Sequence, residues 1–348
     1  MIICFNILIE NTVDPNHYFR LVYSLFILLP ASIVCALYIV IKSKDLNLQT
    51  EDLIKIFVIA GLCQSVISVI ALLFPTIKSQ LVEIMFQNTG DQLLNTPWIV
   101  ERRFFGFANS MLDLYGFGMG LIAGASLFIK YKYKYMKYIV FGSLLIPAFL
   151  NARTGVLIGA IGMIVYLAYE LSTINTIKVL GYLLGYFLII VFLLALMAKY
   201  APDTLEWSKN DINSFILKSD SFGNRSGTAN NLFSSNFWTL PEYKYFFQGT
   251  GHTLYSAKGF SHSDVGFVND VWRSGFIGIF LLYVPFFIFL KNSITRVHKN
   301  ISKYIITFFT ISILTFLIKG NLWVYSPGMV FILSVTAMFN IEKRIHKC

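Results

Sequence analysis

FANSMLDLYGFGMGLIAGASLFIKYKYKYMK, residues 107–137, holds the two signals from which the fold is read. Its first part, about residues 107–129, is a glycine-rich apolar run, long enough to cross the roughly 30 Å hydrocarbon core of a bilayer as a helix. Its last part interleaves Lys130, Lys132, Lys134 and Lys137 with Tyr131, Tyr133 and Tyr135. Lysine at the end of a span marks the cytoplasmic side, and tyrosine sits at the interface because its ring is apolar and its tip is wet. In lipid the backbone must satisfy its own hydrogen bonds, which leaves helix bundles or closed barrels. The apolar runs here are continuous rather than alternating, so the barrel is excluded and the bundle remains.

Composition agrees. Of 348 residues, 56% are hydrophobic and 13% charged, with a mean hydropathy of +0.66. Soluble domains carry about 25% charged residues, so this chain has too few to cover a water-facing surface. The net charge of +10 gathers largely in short loops at span ends, where it sets topology and does not point to nucleic acid. Cys4, Cys35, Cys63 and Cys348 are scattered, with no disulfide framework and no CxxC metal spacing. The start, MIICFNILIEN, lacks a basic region and a small-residue cleavage site and is not expected to be a cleaved signal peptide.

Working outward, the pattern predicts an all-α polytopic membrane protein of about nine spans. They fall near residues 21–41, 53–74, 107–129, 138–150, 155–169, 178–197, 268–290, 304–318 and 323–339. Residues 1–20 begin with an apolar stretch too short to span. IKSQLVEIMF, residues 77–86, has helical apolar spacing that suits a surface-lying helix or, equally, a packed connector. With 130–137 inside, alternation places the basic residues at 42–44, 178, 291–303 and 343–347 inside as well. Residues 76–103, the turn at Arg153, a large loop and the turn at 319–321 fall outside. Three regions result: a bundle over 1–198, an extracytoplasmic loop over 199–265, and the C-terminal helices with their tail over 266–348.

The polar segment 199–273 collects most of the chemistry: His252, His262, Asp264, Asp270, Arg225 and Arg273. Arg102, Arg103 and Arg153 share its side. Arg153 stands in the minimal turn NART between two apolar runs, where an arginine either snorkels or serves a partner. Together with Arg225 and Arg273 these cations point to an anionic ligand, because the guanidinium fork fits phosphate oxygens bidentately. Beside lipid, the anion expected is a lipid-linked phosphate or pyrophosphate. No Walker A, GxGxxG after a strand, HExxH or GxSxG is present. His252 and His262 with Asp264 match no zinc spacing, so neither metal nor cofactor is expected. Each histidine taken singly reads most simply as a hydrogen-bonded loop residue, and Asp264 equally as the N-cap of a helix starting near Gly266. The loop's many aromatic residues suit sugar stacking or anchoring at the interface.

Three stretches resemble the O-antigen polymerase and ligase superfamily of bacterial polysaccharide assembly, the Wzy-type polymerases above all. They are RRFFGFANSMLDLYG, then LNARTGVLIGAIG, then QGTGHTLY followed by SHSDVGFVNDVWRSGFIGIFLLY, in that order over about residues 100–290. Two departures stand out: fewer spans than such proteins commonly have, and Ser263-Asp264 where ligases tend to have histidine-asparagine. The resemblance implies a GT-C-like glycosyltransferase of the bacterial inner membrane, active on its outer face without nucleotide sugar. Its donor would be a glycan on undecaprenyl pyrophosphate, with a chain-length regulator and a flippase as pathway partners. Arg153 and Arg103, then Arg102, Arg225 and Arg273, would hold pyrophosphate or glycan. His262, His252 or Asp264 would be the base. The alternatives are a ligase, and outside the superfamily a flippase for the same lipid-linked sugar. A flippase would place charges inside spans, which here are nearly free of them. A non-catalytic chain-length regulator would show long heptad repeats, and none is seen.

Overall fold

The computed structural model describes residues 29–89, 113–173 apart from 134 and 152, single helical positions between 181 and 206, 238–249 apart from 248, 265–319 apart from 298 and 299, and 327–345. Among these residues there is no strand. The helices are α1 (Leu29–Asp45), α2 (Thr50–Leu73), α3 (Pro75–Thr89), α4 (Asp113–Ser126), α5 (Met136–Asn151), α6 (Arg153–Thr173), α7 (Tyr243–Phe246), α8 (Gly266–Arg296), α9 (Asn300–Lys319) and α10 (Pro327–Ile345). Among the described residues, four helices are long and apolar enough to cross a membrane: Thr50–Leu73, Thr154–Ser172, Ser274–Arg296 and Asn300–Ile318. Leu114–Ser126, Met136–Asn151 and Gly328–Glu342 are shorter apolar helices. The chain is a helical protein built for a membrane.

Residues 1–20, the start of the expected span at 21–41, most of that at 178–197, and the segments 90–112 and 320–326 lie outside the described residues. Elsewhere the expected runs are helical, with two differences. The turn read as NART is tighter, because α5 runs through Asn151 and α6 starts at Arg153. The span read as 268–290 is broken at Gly275, so its membrane-crossing part begins at Ser274.

Local chemistry explains the ends. Asn47, with φ 54°, turns the chain out of α1, and asparagine tolerates that left-handed conformation better than most residues. The backbone of Gln49 donates to Asp52 at 3.3 Å, and Glu51 and Asp52 sit in the first turn of α2 where the helix dipole favours them.

The chain divides into two compact units. One draws on Cys35–Trp207, Ser293–Ser312 and Ser326–Cys348. At its centre α4 packs against α6, α5, α10 and α2. The α4–α6 contact is backbone on backbone: a Cβ on Gly120 would lie 2.3 Å from the Gly155 oxygen, and one on Gly162 would lie 2.4 Å from Gly124 Cα. Without glycine the helices would stand apart, which is the use of small residues between membrane helices. Phe308 of α9 closes over Gly124, fully buried.

Several connections meet at one end of this unit. Thr50 donates through its backbone and its hydroxyl (2.7 Å) to Glu342. The Lys130 backbone donates to Glu51 at 3.3 Å, and Asn340 donates to the Ser293 hydroxyl at 2.8 Å. The start of α2, the basic 130–137 segment, the 293 region and the end of α10 are thus held together, which alternation along the sequence requires.

The other unit draws on Met1–Val34, Ser208–Asn292 and Ile313–Tyr325. It contains α7 and the elbow of α8.

Candidate functional site

Within α8, Gly275 takes φ 63° and ψ −177° and divides the helix into two arms. Only glycine fits here. A Cβ would lie 2.2 Å from the Phe247 oxygen and 2.5 Å from the Gly249 nitrogen, on top of a positive φ that L side chains resist. The segment after α7 plugs the break. The Phe247 carbonyl accepts the Ile277 N–H at 3.1 Å, satisfying an amide that the second arm leaves free at its start. Phe246 stacks on Phe276, centroids 5.7 Å apart. On the first arm, the Trp272 indole donates to the Thr239 carbonyl at 2.7 Å, and Val265, Val268 and Trp272 form a small apolar core.

The bend brings two polar groups together. Tyr283 donates its hydroxyl to the Asp270 carboxylate, although the two are 13 residues apart. In a straight helix they would stand about 20 Å apart along the axis, so this bond exists because the helix is broken between them. Asp270 is 2% exposed and Tyr283 6%. A buried carboxylate needs donors to offset lost hydration, and the tyrosine supplies one. Such a pair can hold or orient a proton.

Of the residues expected to form the site, two are placed by their backbone. Arg153 opens α6, where unpaired N–H groups and the helix dipole favour an anion. Arg273 lies on the first arm of the elbow, two residues before Gly275 and one turn after Asn269 and Asp270. The two arginines belong to different units. Arg102, Arg103, Arg225, His252, His262 and Asp264 lie outside the described residues. α8 does begin at Gly266, but the Val265 carbonyl accepts the Asn269 N–H at 3.1 Å, so the capping position falls on Val265 rather than Asp264.

The Asp270–Tyr283 pairing was not legible in sequence, because Asp270 and Tyr283 look remote on one helix. The sequence feature that accompanies it is Ser274-Gly275 with Gly278 where the apolar run begins, which by itself does not specify a break. Among the described residues, no group of three or more His, Cys, Asp and Glu side chains could hold a metal ion. Comparison with known proteins finds no matching family model, no curated relative and no solved structure.

Proposed function

We propose that the protein is a polysaccharide polymerase of the Wzy type, joining lipid-linked oligosaccharide repeat units on the outer face of a bacterial cytoplasmic membrane. The observation that carries this reading is the elbow. Its Gly275-Phe276-Ile277-Gly278 sequence ends the stretch that resembles the polymerases, and its partner Gly249 begins the Gly-x-Gly of the same stretch. The two are in contact. His252 follows Gly249 by three positions in the same stretch. Arg273 stands on the other side of the closure. In sequence, one base candidate and one cation candidate thus flank the elbow, which supports the reading.

In the reaction proposed, a hydroxyl of the incoming repeat unit attacks the anomeric carbon of the growing glycan. A new C–O bond forms as the bond to undecaprenyl pyrophosphate breaks. The hydroxyl proton passes to a base (His262, His252 or Asp264), and the leaving pyrophosphate departs with the bonding pair. Arginines stabilise that charge without changing protonation, with Arg153 at the start of α6 and Arg103 the first candidates, then Arg102, Arg225 and Arg273. The full arrangement has about nine spans and one large outer loop. No nucleotide sugar or other cofactor is needed, and a chain-length regulator and a flippase would act beside it.

The test uses purified protein in detergent with lipid-linked repeat units. Wild type gives a ladder of longer glycans. Arg153→Ala, still monodisperse on gel filtration, loses it by at least about 100-fold, the scale of a lost transition-state contact. A ladder undiminished in Arg153→Ala removes the pyrophosphate role. Transfer to a second acceptor without any ladder favours the ligase.

A further inference from the structure

A second polar site lies in the first unit, at the end where the basic segment folds. A cavity of about 390 Å³ is lined by the turn after α4 (residues 127–131), by Lys137 at the start of α5, by Tyr166, Tyr169 and Glu170 near the end of α6, and by Ile301 of α9. Its polar wall is built. The Lys137 ammonium donates to the Tyr166 hydroxyl at 2.5 Å and lies 4.3 Å from the centre of its ring. Tyr166 in turn donates to the Glu170 carboxylate. Tyr166 is 1% exposed and Glu170 6%. An ammonium carries three donors, and this chain fixes its direction with one of them. Lys130, exposed at the rim, adds a second positive charge, so among the lining residues two lysines face one carboxylate; Glu51, which accepts the Lys130 N–H, is itself paired with Lys55 at 3.3 Å.

The rest of the wall is aromatic and apolar, with Phe128, Tyr131 and Tyr169 beside Leu127 and Ile129. Burial pushes the Tyr131 phenol up to about 12, so it remains a neutral hydroxyl at ordinary pH. It donates to the Ser126 carbonyl at 3.2 Å. Outward from the cavity, the helices that frame it turn apolar residues away from the protein: Ile139, two residues after Lys137, and Leu171, next to Glu170. A fixed ammonium, a rim lysine and tyrosines, set where apolar helix surfaces begin, match an amphiphile with an anionic head.

We infer that this cavity binds the phosphate headgroup of an anionic membrane phospholipid, held by Lys130 and Lys137, with its acyl chains along the neighbouring helices. Basic pockets between membrane helices take such headgroups. The site lies at the end of the unit away from Arg153, since α6 begins at Arg153 and ends by Glu170. It is therefore independent of the proposed glycosyl transfer.

The experiment measures lipid retention by native mass spectrometry on the full chain in detergent, titrated with phosphatidylglycerol, phosphatidylcholine or soluble glycerol 3-phosphate. Phosphatidylglycerol is expected to bind one molecule above the statistical background, with phosphatidylcholine and glycerol 3-phosphate far weaker. Lys130→Gln, which removes an exposed side chain, should weaken it about fivefold, as expected for one lysine at a charged surface. Lys137→Gln should weaken it at least as much. Lys42→Gln, an exposed lysine paired with Asp45 in the last turn of α1, is the control and should leave binding unchanged. Equal loss in Lys42→Gln would mean diffuse surface attraction and overturn the proposal. Glycerol 3-phosphate binding as tightly as the lipid would overturn it too, making this a site for a soluble phosphate.

Discussion

At the scale of single residues, Gly275 and the Asp270–Tyr283 pair carry most of the elbow. Any side chain at Gly275 meets the Phe247 carbonyl at 2.2 Å and also a positive φ. The φ alone costs about 1–3 kcal/mol. Gly275→Ala is therefore expected to lower the Tm of the purified protein clearly, while Gly181→Ala, with open space around it, is expected to leave it unchanged or slightly raised because alanine favours helix. Equal Tm values for the two variants would remove the elbow from the account. Tyr283→Phe removes one donor from a buried carboxylate and should cost about 1–3 kcal/mol in denaturant unfolding. Asp270→Asn, which keeps an acceptor for the tyrosine hydroxyl, should cost less. The sequence marked Asp270 as a candidate but not its partner, because helical periodicity alone sets residues 13 apart out of reach. Only a break, visible as Gly275 in a polar-apolar junction, makes the pair.

Among elements, α4 and α6 show what was legible. GFGMGLIAGA announced a helix able to approach another closely, and the approach is made by Gly120 on Gly155 and Gly124 on Gly162. Gly120→Val would force a side chain into the Gly155 backbone at 2.3 Å. The expected result is loss of folded protein by fluorescence-detected size exclusion, whereas Gly181→Val should remain monodisperse. Helix positions came through from hydropathy because a continuous apolar run has few other solutions in lipid. Ends came through less well. α5 and α6 are separated by a single residue, and the run at 268–290 is not one helix. Hydropathy is blind to both, since neither a tight turn nor a kink changes average apolarity. The cluster of Lys137, Tyr166 and Glu170 was missed for a related reason: three residues on two helices, each ordinary alone, share a cavity only once the helices pack.

For the whole molecule, the sequence-derived alternation puts the α1–α2 turn, the 130–137 segment and the C-terminal tail on one side. Contacts from Thr50 to Glu342 and from Lys130 to Glu51 hold those parts at one end of their unit. In a cysteine-free background, Lys132→Cys is expected to resist a membrane-impermeant maleimide in intact cells, while Ser79→Cys in α3 reacts. Labelling of both, or of Lys132→Cys alone, would invert or break the topology on which an outer-face reaction depends. Most of the residues expected to do that reaction lie in the large polar segment, whose aromatic and charged sequence carries no period from which a fold can be read.

The central claim is glycosyl transfer from a lipid carrier, and one measurement meets it directly. Purified protein in liposomes receives undecaprenyl-pyrophosphate-linked repeat units, with no nucleotide sugar, and carrier release is followed beside glycan length. The account predicts that each added repeat unit frees one undecaprenyl pyrophosphate. Donor that is never consumed, or that only crosses the bilayer intact, would contradict it.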